Sequence, residues 1–410
     1  MPKVLHVDGD GFFAACEISR RPDLKGKPVV VGEERGIATA MSYEAKKLGI
    51  TRSTPIFQVK RDFPQVTVLS SHFELYEHFS KNLYTILSKH FDCVEVYSID
   101  ECFALVPDSY KKPHETWEQA IMQLKQEVQA CLGITYSFGL ADTKVLSKVA
   151  SKLNKPDGCT VIDESNRISA LAKTAIGDVW GIGWQTSSAL TKIGLVTALD
   201  FIRYPESSVA RHFSEPILAL WHELSGTKLH RVHSAHDQRK SMQATRSFTP
   251  ASSDRSFVYS ELSRNVEVVC HRLRDSGLAT KTFSVYLKPK ALWQARHTAS
   301  FELPLFTQNP TDLLRAITRI FDTKIFKKGT MYRSTGVSVY GLVAEDEIPM
   351  DLFETEHQAL DSIWNMPGLE SVHLASSLLS TNRREVLAEE RARKDTYVEH
   401  LPLPYMGEVW

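Results

Sequence analysis

The 410-residue chain is 42% hydrophobic and 24% charged, with a formal net charge of zero, which is ordinary for a soluble globular protein. It is too long for one compact domain, so two to four are expected. No apolar run approaches the roughly 20 residues that span a bilayer, and the start MPKVLHVDGDGFF lacks a signal-peptide pattern. A cytoplasmic protein without a membrane role is expected.

Val4 to Val7 is a short apolar run, read as a buried strand ending at Asp8. A helix follows from Gly11 to Ile18. Pro28–Val31 and Gly36–Ala40 read as strands, and Ser42 to Leu48 as a helix stopped by Gly49. Residues 75–90 and 115–132 have helical patterns. Between them, Cys93 to Leu105 reads as strand, turn, strand. Thr135–Ala141 is a further strand, and Val145–Leu153 a basic helix closed by Pro156-Asp-Gly158.

Short helices surround Val179 to Gly183, and the polar stretch His230 to Gln243 has linker composition. Beyond it come a strand (Ser241–Phe248), a helix (Phe257–Leu273), two strands (Thr282–Leu287, Thr298–Leu305), a helix (Pro310–Phe321) and a strand (Thr335–Val343). This βαββαβ order predicts a small α+β domain. The six cysteines show no CxxC and no metal-ligand spacing, so reduced thiols are expected.

Charge is segregated along the chain. Residues 231–340 hold 18 Lys/Arg against 8 Asp/Glu, while residues 341–410 hold 5 against 14. The first segment is basic enough to lie along a phosphate backbone; the second would be repelled from it.

The chemistry centres on carboxylates. Asp8 ends the first strand, and Asp100 and Glu101 stand at the turn in Val94 to Phe103. Adjacent ionised carboxylates at the end of an apolar strand repel one another unless a cation compensates. Acids from separate strand ends suit a site for two metal ions roughly 3.5–4 Å apart. A surface acidic turn is the competing reading. Asp10, beyond the strand end, is expected to cap the next helix rather than bind metal.

His6 to Ala15 with Glu17, followed by Tyr97-Ser-Ile-Asp-Glu101, closely resembles the Y-family translesion DNA polymerases of the DinB/UmuC kind. The resemblance continues through Ser42–Gly49, Ser137–Lys148, Lys155–Gly158 and Trp180–Gly183, and covers residues 1–345 in order. It implies a multidomain α/β and α+β right-hand polymerase. The palm would be residues 1–20 and 75–165, and the fingers 21–74. A helix–hairpin–helix thumb would take 166–230, a linker 231–240, the little finger 241–343, and an acidic tail 344–410.

The resemblance implies template-directed DNA synthesis at a primer 3′ end, with low fidelity and no proofreading. The metals would be two Mg²⁺, with Mn²⁺ able to substitute, held by Asp8, Asp100, Glu101 and the carbonyl of Gly9. Phe12, Phe13, Tyr43, Lys46 and Lys155 would bind the deoxynucleoside triphosphate. Tyr43 and the basic Lys46 would hold the β- and γ-phosphates, and Phe13 would act as a steric gate against a 2′-hydroxyl. Phosphoryl transfer depends mostly on positioning and charge neutralisation, so cations are expected beside the triphosphate.

Gly181 and Gly183 would bring backbone N–H groups to DNA phosphates, glycine leaving no side chain in the way. Arg246, Lys288, Lys290, Arg296, Lys327, Lys328 and Arg333 would contact primer–template DNA from the little finger. Pro349 to Phe353 resembles a bacterial clamp-binding peptide, with Met350, Leu352 and Phe353 entering the sliding clamp. A monomer associated with the nucleoid is implied. A non-catalytic DNA-binding scaffold and a palm-fold nucleotidyl cyclase are the alternatives. The intact acids disfavour the first, and the hairpin with the basic segment disfavours the second.

Overall fold

The computed structural model describes residues 2–233, 240–291, 293–348 and 373–382. They form two compact units, one within residues 1–237 and one within 238–399.

The first unit is built around a five-stranded sheet. Its strands lie in the order Val94–Val96, Glu101–Val106, Lys3–Gly9, Tyr136–Ala141, Cys159–Val161. The central strand Lys3–Gly9 is antiparallel to both neighbours, and only the last pair is parallel. Helices Phe73–His90 and Trp117–Leu132 cover one face through Tyr76, Phe79, Leu83, Ile121, Leu124 and Val128. Helix Lys144–Leu153 packs on the other. Residues Val4 to Val7 are therefore buried whichever way they point, and so they read as an apolar run interrupted only by His6.

Gly139 lets helix Lys144–Leu153 approach closely. A Cβ there would meet the Ser147 carbonyl oxygen and the Ser151 nitrogen at 2.2 Å. Thr143 caps that helix, accepting from the N–H of Leu146.

Residues 29–69 hold a three-stranded sheet, Ala40–Met41, Val29–Val31, Thr67–Leu69, with helices Tyr43–Lys47 and Ile56–Asp62. Only Ala40 of the expected Gly36–Ala40 strand belongs to it. Gly32 and Gly36 take φ of 125° and 70° and fold the chain into a tight turn instead, a backbone region glycine enters without steric cost. Helix Ile56–Asp62 and strand Thr67–Leu69 were not expected.

Residues 167–225 are helical, packed around Leu171, Leu190, Phe201, Val209 and Leu224. The Gly-x-Gly turn is followed by helix Trp184–Lys192 but preceded by a single 3₁₀ turn, Ile176–Asp178. The hairpin thus lacks a full α-helix immediately before it.

The second unit has the βαββαβ order. Strands Ser241–Ser252, Leu278–Pro289, His297–Thr307 and Tyr332–Tyr340 form an antiparallel sheet covered on one face by helices Arg255–Asp275 and Pro310–Ile320. Val258, Leu262, Val266, Val269 and Leu273 make the buried stripe of the longer helix, the spacing of a helix with one apolar face. Residues 373–382 dock on it: Glu267 accepts from the Leu374 N–H (2.9 Å) and the Ser377 hydroxyl (2.6 Å). Met350, Leu352 and Phe353, and the rest of the expected clamp peptide, lie outside the described residues.

Candidate active site

The sheet register builds the site. Asp8 is paired directly with Glu101, and on its other side with Ser137. Glu101 opens its strand, so the two carboxylates meet at the end of the sheet, where the turn Tyr97–Asp100 leaves it. Ligand atoms of His6, Asp8 and Glu101 all lie within 4.8 Å of one another. Asp100 is beside them but outside that group. Its carboxylate accepts from the Ser98 hydroxyl (2.5 Å) and its carbonyl from the Gly9 N–H (2.9 Å).

Two lysines face the acids. Lys148 Nζ donates to Glu101 Oε2 at 2.6 Å, and Lys155 Nζ donates to Asp8 Oδ1, with the Gly9 carbonyl 3.5 Å away. Burial pushes Asp8 up to about 6, against the pull of Lys155 and with help from Glu101 and Asp100. Burial works the same way on Glu101, but the neighbouring His6 and Lys148 together outweigh it and hold the carboxyl below the usual range. The His6 ring is fully buried and driven down to about 4, so it is neutral, and its Nε2 stands 3.9 Å from Glu101 without a hydrogen bond. The other ring nitrogen of His6 meets Ser151 Oγ at 2.7 Å. The buried Asp8 and half-buried Glu101 facing one another, with the Gly9 carbonyl beside them, make the hard oxygen donor set that a divalent cation requires.

Asp10 does not cap a helix. Helix Phe12–Ser19 is capped by Gly11, whose φ is 58°, with no side-chain bond. The buried Asp10 carboxylate accepts instead from the Ser137 hydroxyl (2.8 Å) and the Asp157 N–H (2.7 Å). It ties the first strand to the loop that carries Lys155, 145 residues away in sequence. That is a structural role, but a tertiary one that no local pattern announces.

Asp8, Gly9, Asp100, Glu101, Lys148 and Lys155 line a cleft of about 1300 Å³ within the first unit. Phe13, Tyr43 and Lys46 also line it, and Arg52 stands in the same wall. The Lys46 ammonium lies over the Tyr43 ring, 4.0 Å from its centroid. Burial, then Lys155 and Arg52, depress Lys46, and burial, then Asp10 and Asp8, raise the Tyr43 phenol. Three cations gathered on one wall repel one another and favour a polyanionic ligand. Phe12 points inward, 3% exposed, against Tyr76 and Tyr136. Phe13 is half-buried and presents its ring to the cleft.

Sequence reasoning missed Lys148 and Arg52. Lys148 had a signal. Lys144, Lys148 and Ser151 recur on one stripe of a helix, and all three are buried against the sheet, a place where lysine needs an acid. Lys144 has one in Glu95, at 2.6 Å.

The candidate DNA contacts are less unified. Gly181 has φ of 89°, and a Cβ there would meet Leu220 at 2.9 Å, whereas Gly183 has open space. In the second unit Tyr286 and Lys288 share the sheet face opposite the buried Phe283, Val285 and Leu287, and Arg296 stacks on Tyr286 at 4.8 Å. Lys290, Lys327 and Lys328 are exposed and Arg333 is half-buried. Arg246 is cross-strand to Thr335, whose hydroxyl bonds Asn265 of the long helix, so it falls in the register of the helix-covered face.

The layers, strand order and site describe a polymerase-type hand. The chain aligns with a Y-family DNA polymerase chimera of Dbh and Dpo4 at a TM-score of 0.69 and 23% identity, covering 83% of this chain and 99% of that one. Profiles of the impB/mucB/samB family and of its C-terminal domain match residues 7–152 and 239–352. Two DNA polymerase IV relatives are similar. That of Streptomyces coelicolor is 31% identical over 355 residues, 86% of this chain and 73% of the relative. That of Methanoculleus marisnigri is 30% identical over 319 residues, 76% and 87%. The chain belongs to this family, the Y-family DinB/UmuC-like translesion DNA polymerases, and is a divalent-metal-dependent DNA-directed DNA polymerase.

Proposed function

We propose that the chain adds deoxynucleotides to a primer 3′ end with Asp8, Glu101 and Asp100 as metal ligands, joined by the Gly9 carbonyl. The observation that carries this reading is the cross-strand pairing of Asp8 with Glu101 at the open end of the sheet. Two Mg²⁺ ions, for which Mn²⁺ can substitute, would activate the primer hydroxyl and neutralise the leaving pyrophosphate.

The protein's own groups do the rest. Lys155 and Lys46 supply charge to the triphosphate, with Tyr43 holding Lys46 in place and Arg52 adding a further cation. Phe12 fixes the floor from within the core, and Phe13 places its ring under the sugar, where a 2′-hydroxyl would collide. Residues 1–20 and 75–165 act as palm, 21–74 as fingers and 166–230 as thumb. Residues 241–343 form the DNA-gripping little finger, reached through the linker 231–240. The open cleft suits low-fidelity synthesis, and synthesis without proofreading is part of the same reading. The enzyme acts as a cytoplasmic, nucleoid-associated monomer, recruited to a sliding clamp by Met350, Leu352 and Phe353.

Primer extension with Mg²⁺ tests the reading, with Asp100→Ala as control. Asp100 is the informative residue because its carboxylate is bonded to Ser98 rather than grouped with Asp8 and Glu101. Metal-dependent extension that Asp100→Ala abolishes is expected. Failure of the intact chain to extend would sink the reading, and full activity of Asp100→Ala would remove that residue from the ligand set.

A further inference from the structure

Glu17 lies one helical turn beyond Phe13, and such a pair shares a helix face. It is buried, 1% exposed, which is costly for a carboxylate unless it is hydrogen-bonded. Its partners are the Tyr76 hydroxyl, donating at 2.5 Å, and a ring nitrogen of His72 at 2.9 Å. The Tyr76 oxygen in turn accepts from the His72 N–H at 3.1 Å. The Tyr76 ring is fully buried and lies flat behind Phe13, with centroids 4.2 Å apart and planes 10° apart. Phe73 closes the cluster edge-on to both rings, at 5.7 and 5.6 Å. Phe13 is therefore backed by a ring that can neither slide nor tilt while its hydroxyl is held.

We propose that Glu17 is a positioning residue for sugar selection, acting through the Tyr76 hydroxyl to fix the ring stacked behind Phe13. This rests on the reading of Phe13 as the gate. Rejecting one extra oxygen atom requires that the rejecting surface does not yield, and Phe13 alone, half-buried at the cleft wall, could rotate away. Glu17 anchors the whole stack to the core. A purely structural Glu–Tyr pair would behave differently, because replacing both members by apolar groups of similar shape is often neutral.

The test compares kcat/KM for a deoxynucleotide and for the matching ribonucleotide, using the full chain with Mg²⁺ and primer–template. Tyr76→Phe keeps the stack and removes the tether. Its selectivity should fall about tenfold, the factor carried by one hydrogen bond of ordinary net strength, mainly through improved ribonucleotide use. Glu17→Gln keeps the acceptor oxygen and should retain the selectivity of the unaltered chain. Glu17→Leu combined with Tyr76→Phe should lose no more than Tyr76→Phe alone, as expected of two residues acting in series. Should the Leu variant fail to fold, Tyr76→Phe and Glu17→Gln still decide the matter. A folded Tyr76→Phe with unchanged selectivity overturns the proposal, as does a Glu17→Gln that loses as much as Tyr76→Phe. Phe13→Ala run in parallel separates the two claims. If it admits ribonucleotides while Tyr76→Phe does not, the positioning role alone is wrong. If Phe13→Ala still excludes them, the gate itself is wrong and the positioning role falls with it.

Discussion

The first unit pairs the acids Asp8 and Glu101 with lysines at the sheet end; the second carries exposed cations on its surface. Glu101 and Lys148 are paired at 2.6 Å with side chains 16% and 8% exposed, whereas Lys290, Arg296, Lys327 and Lys328 are exposed. Buried charges interact strongly and have few alternatives to the partner they have, so each residue there is close to indispensable. Exposed charges are screened, so each contributes little and the sum is what binds. On the proposed reading, one region would do chemistry at fixed atoms, and the other would grip a repeating polyanion whose sequence it has no need to read.

Four groups of changes sharpen or break this contrast. The largest effect is expected of Glu101→Ala. Extension should fall by roughly 1000-fold or more, the scale for losing a group that acts mainly in the transition state, while DNA binding measured by anisotropy stays within a few-fold. Comparable losses of both would mean that the two units do not divide the labour this way.

Lys148→Met comes next. It leaves Glu101 without its cation, and removing one member of a buried ion pair costs on the order of 3 kcal/mol. Chemical denaturation in the presence of a chelator should show that loss, and the double variant Lys148→Met/Glu101→Gln should recover most of it. No recovery would show that Lys148 matters for packing rather than for charge.

Asp10→Ala should be milder and kinetic. Without its bonds to Ser137 and Asp157 the loop carrying Lys155 loosens, and KM for the incoming nucleotide should rise about tenfold or more, the scale of losing hydrogen bonds of modest net strength. A fall in kcat at unchanged KM would assign Asp10 to the chemistry instead.

The smallest effects belong to the second unit. Lys288→Ala and Arg296→Ala should each weaken duplex binding a few-fold at low salt and lower the salt-dependence slope by about one for each phosphate left unneutralised. Arg246 is exposed but lies in the phase of the helix-covered face of its strand, so Arg246→Ala should change the slope less. An Arg246→Ala effect equal to that of Lys288→Ala would contradict the face assignment.

Much of this was legible in the chain. Val4 to Val7 announced a buried strand because helices cover it on both sides, leaving no position where a polar residue is cheap. Phe283, Val285 and Leu287 alternate because only one face of their sheet is covered, and period two is the signature of that arrangement. The same parity was available for Arg246, which falls in step with the buried Met242 and Ala244. The turn at Gly32–Gly36 misled for a local reason: Ile37 and Ala38 look like strand residues, but two glycines with positive φ fold the chain back before a ladder can form.

By itself the sequence determined which residues could do the chemistry: acids at strand ends, an aromatic pair after the first strand, lysines at helical spacing, and a basic segment set off from an acidic tail. Tertiary structure alone decided which of them meet. Asp8 and Glu101 are 93 residues apart and become neighbours only through antiparallel register. Lys148 finds Glu101 because a helix packs close over Gly139, and Asp10 finds the Asp157 N–H across the mouth of the site. Local patterns report burial and periodicity, which are properties of one segment. Partners for buried charges belong to pairs of segments, and folding is what brings those pairs together.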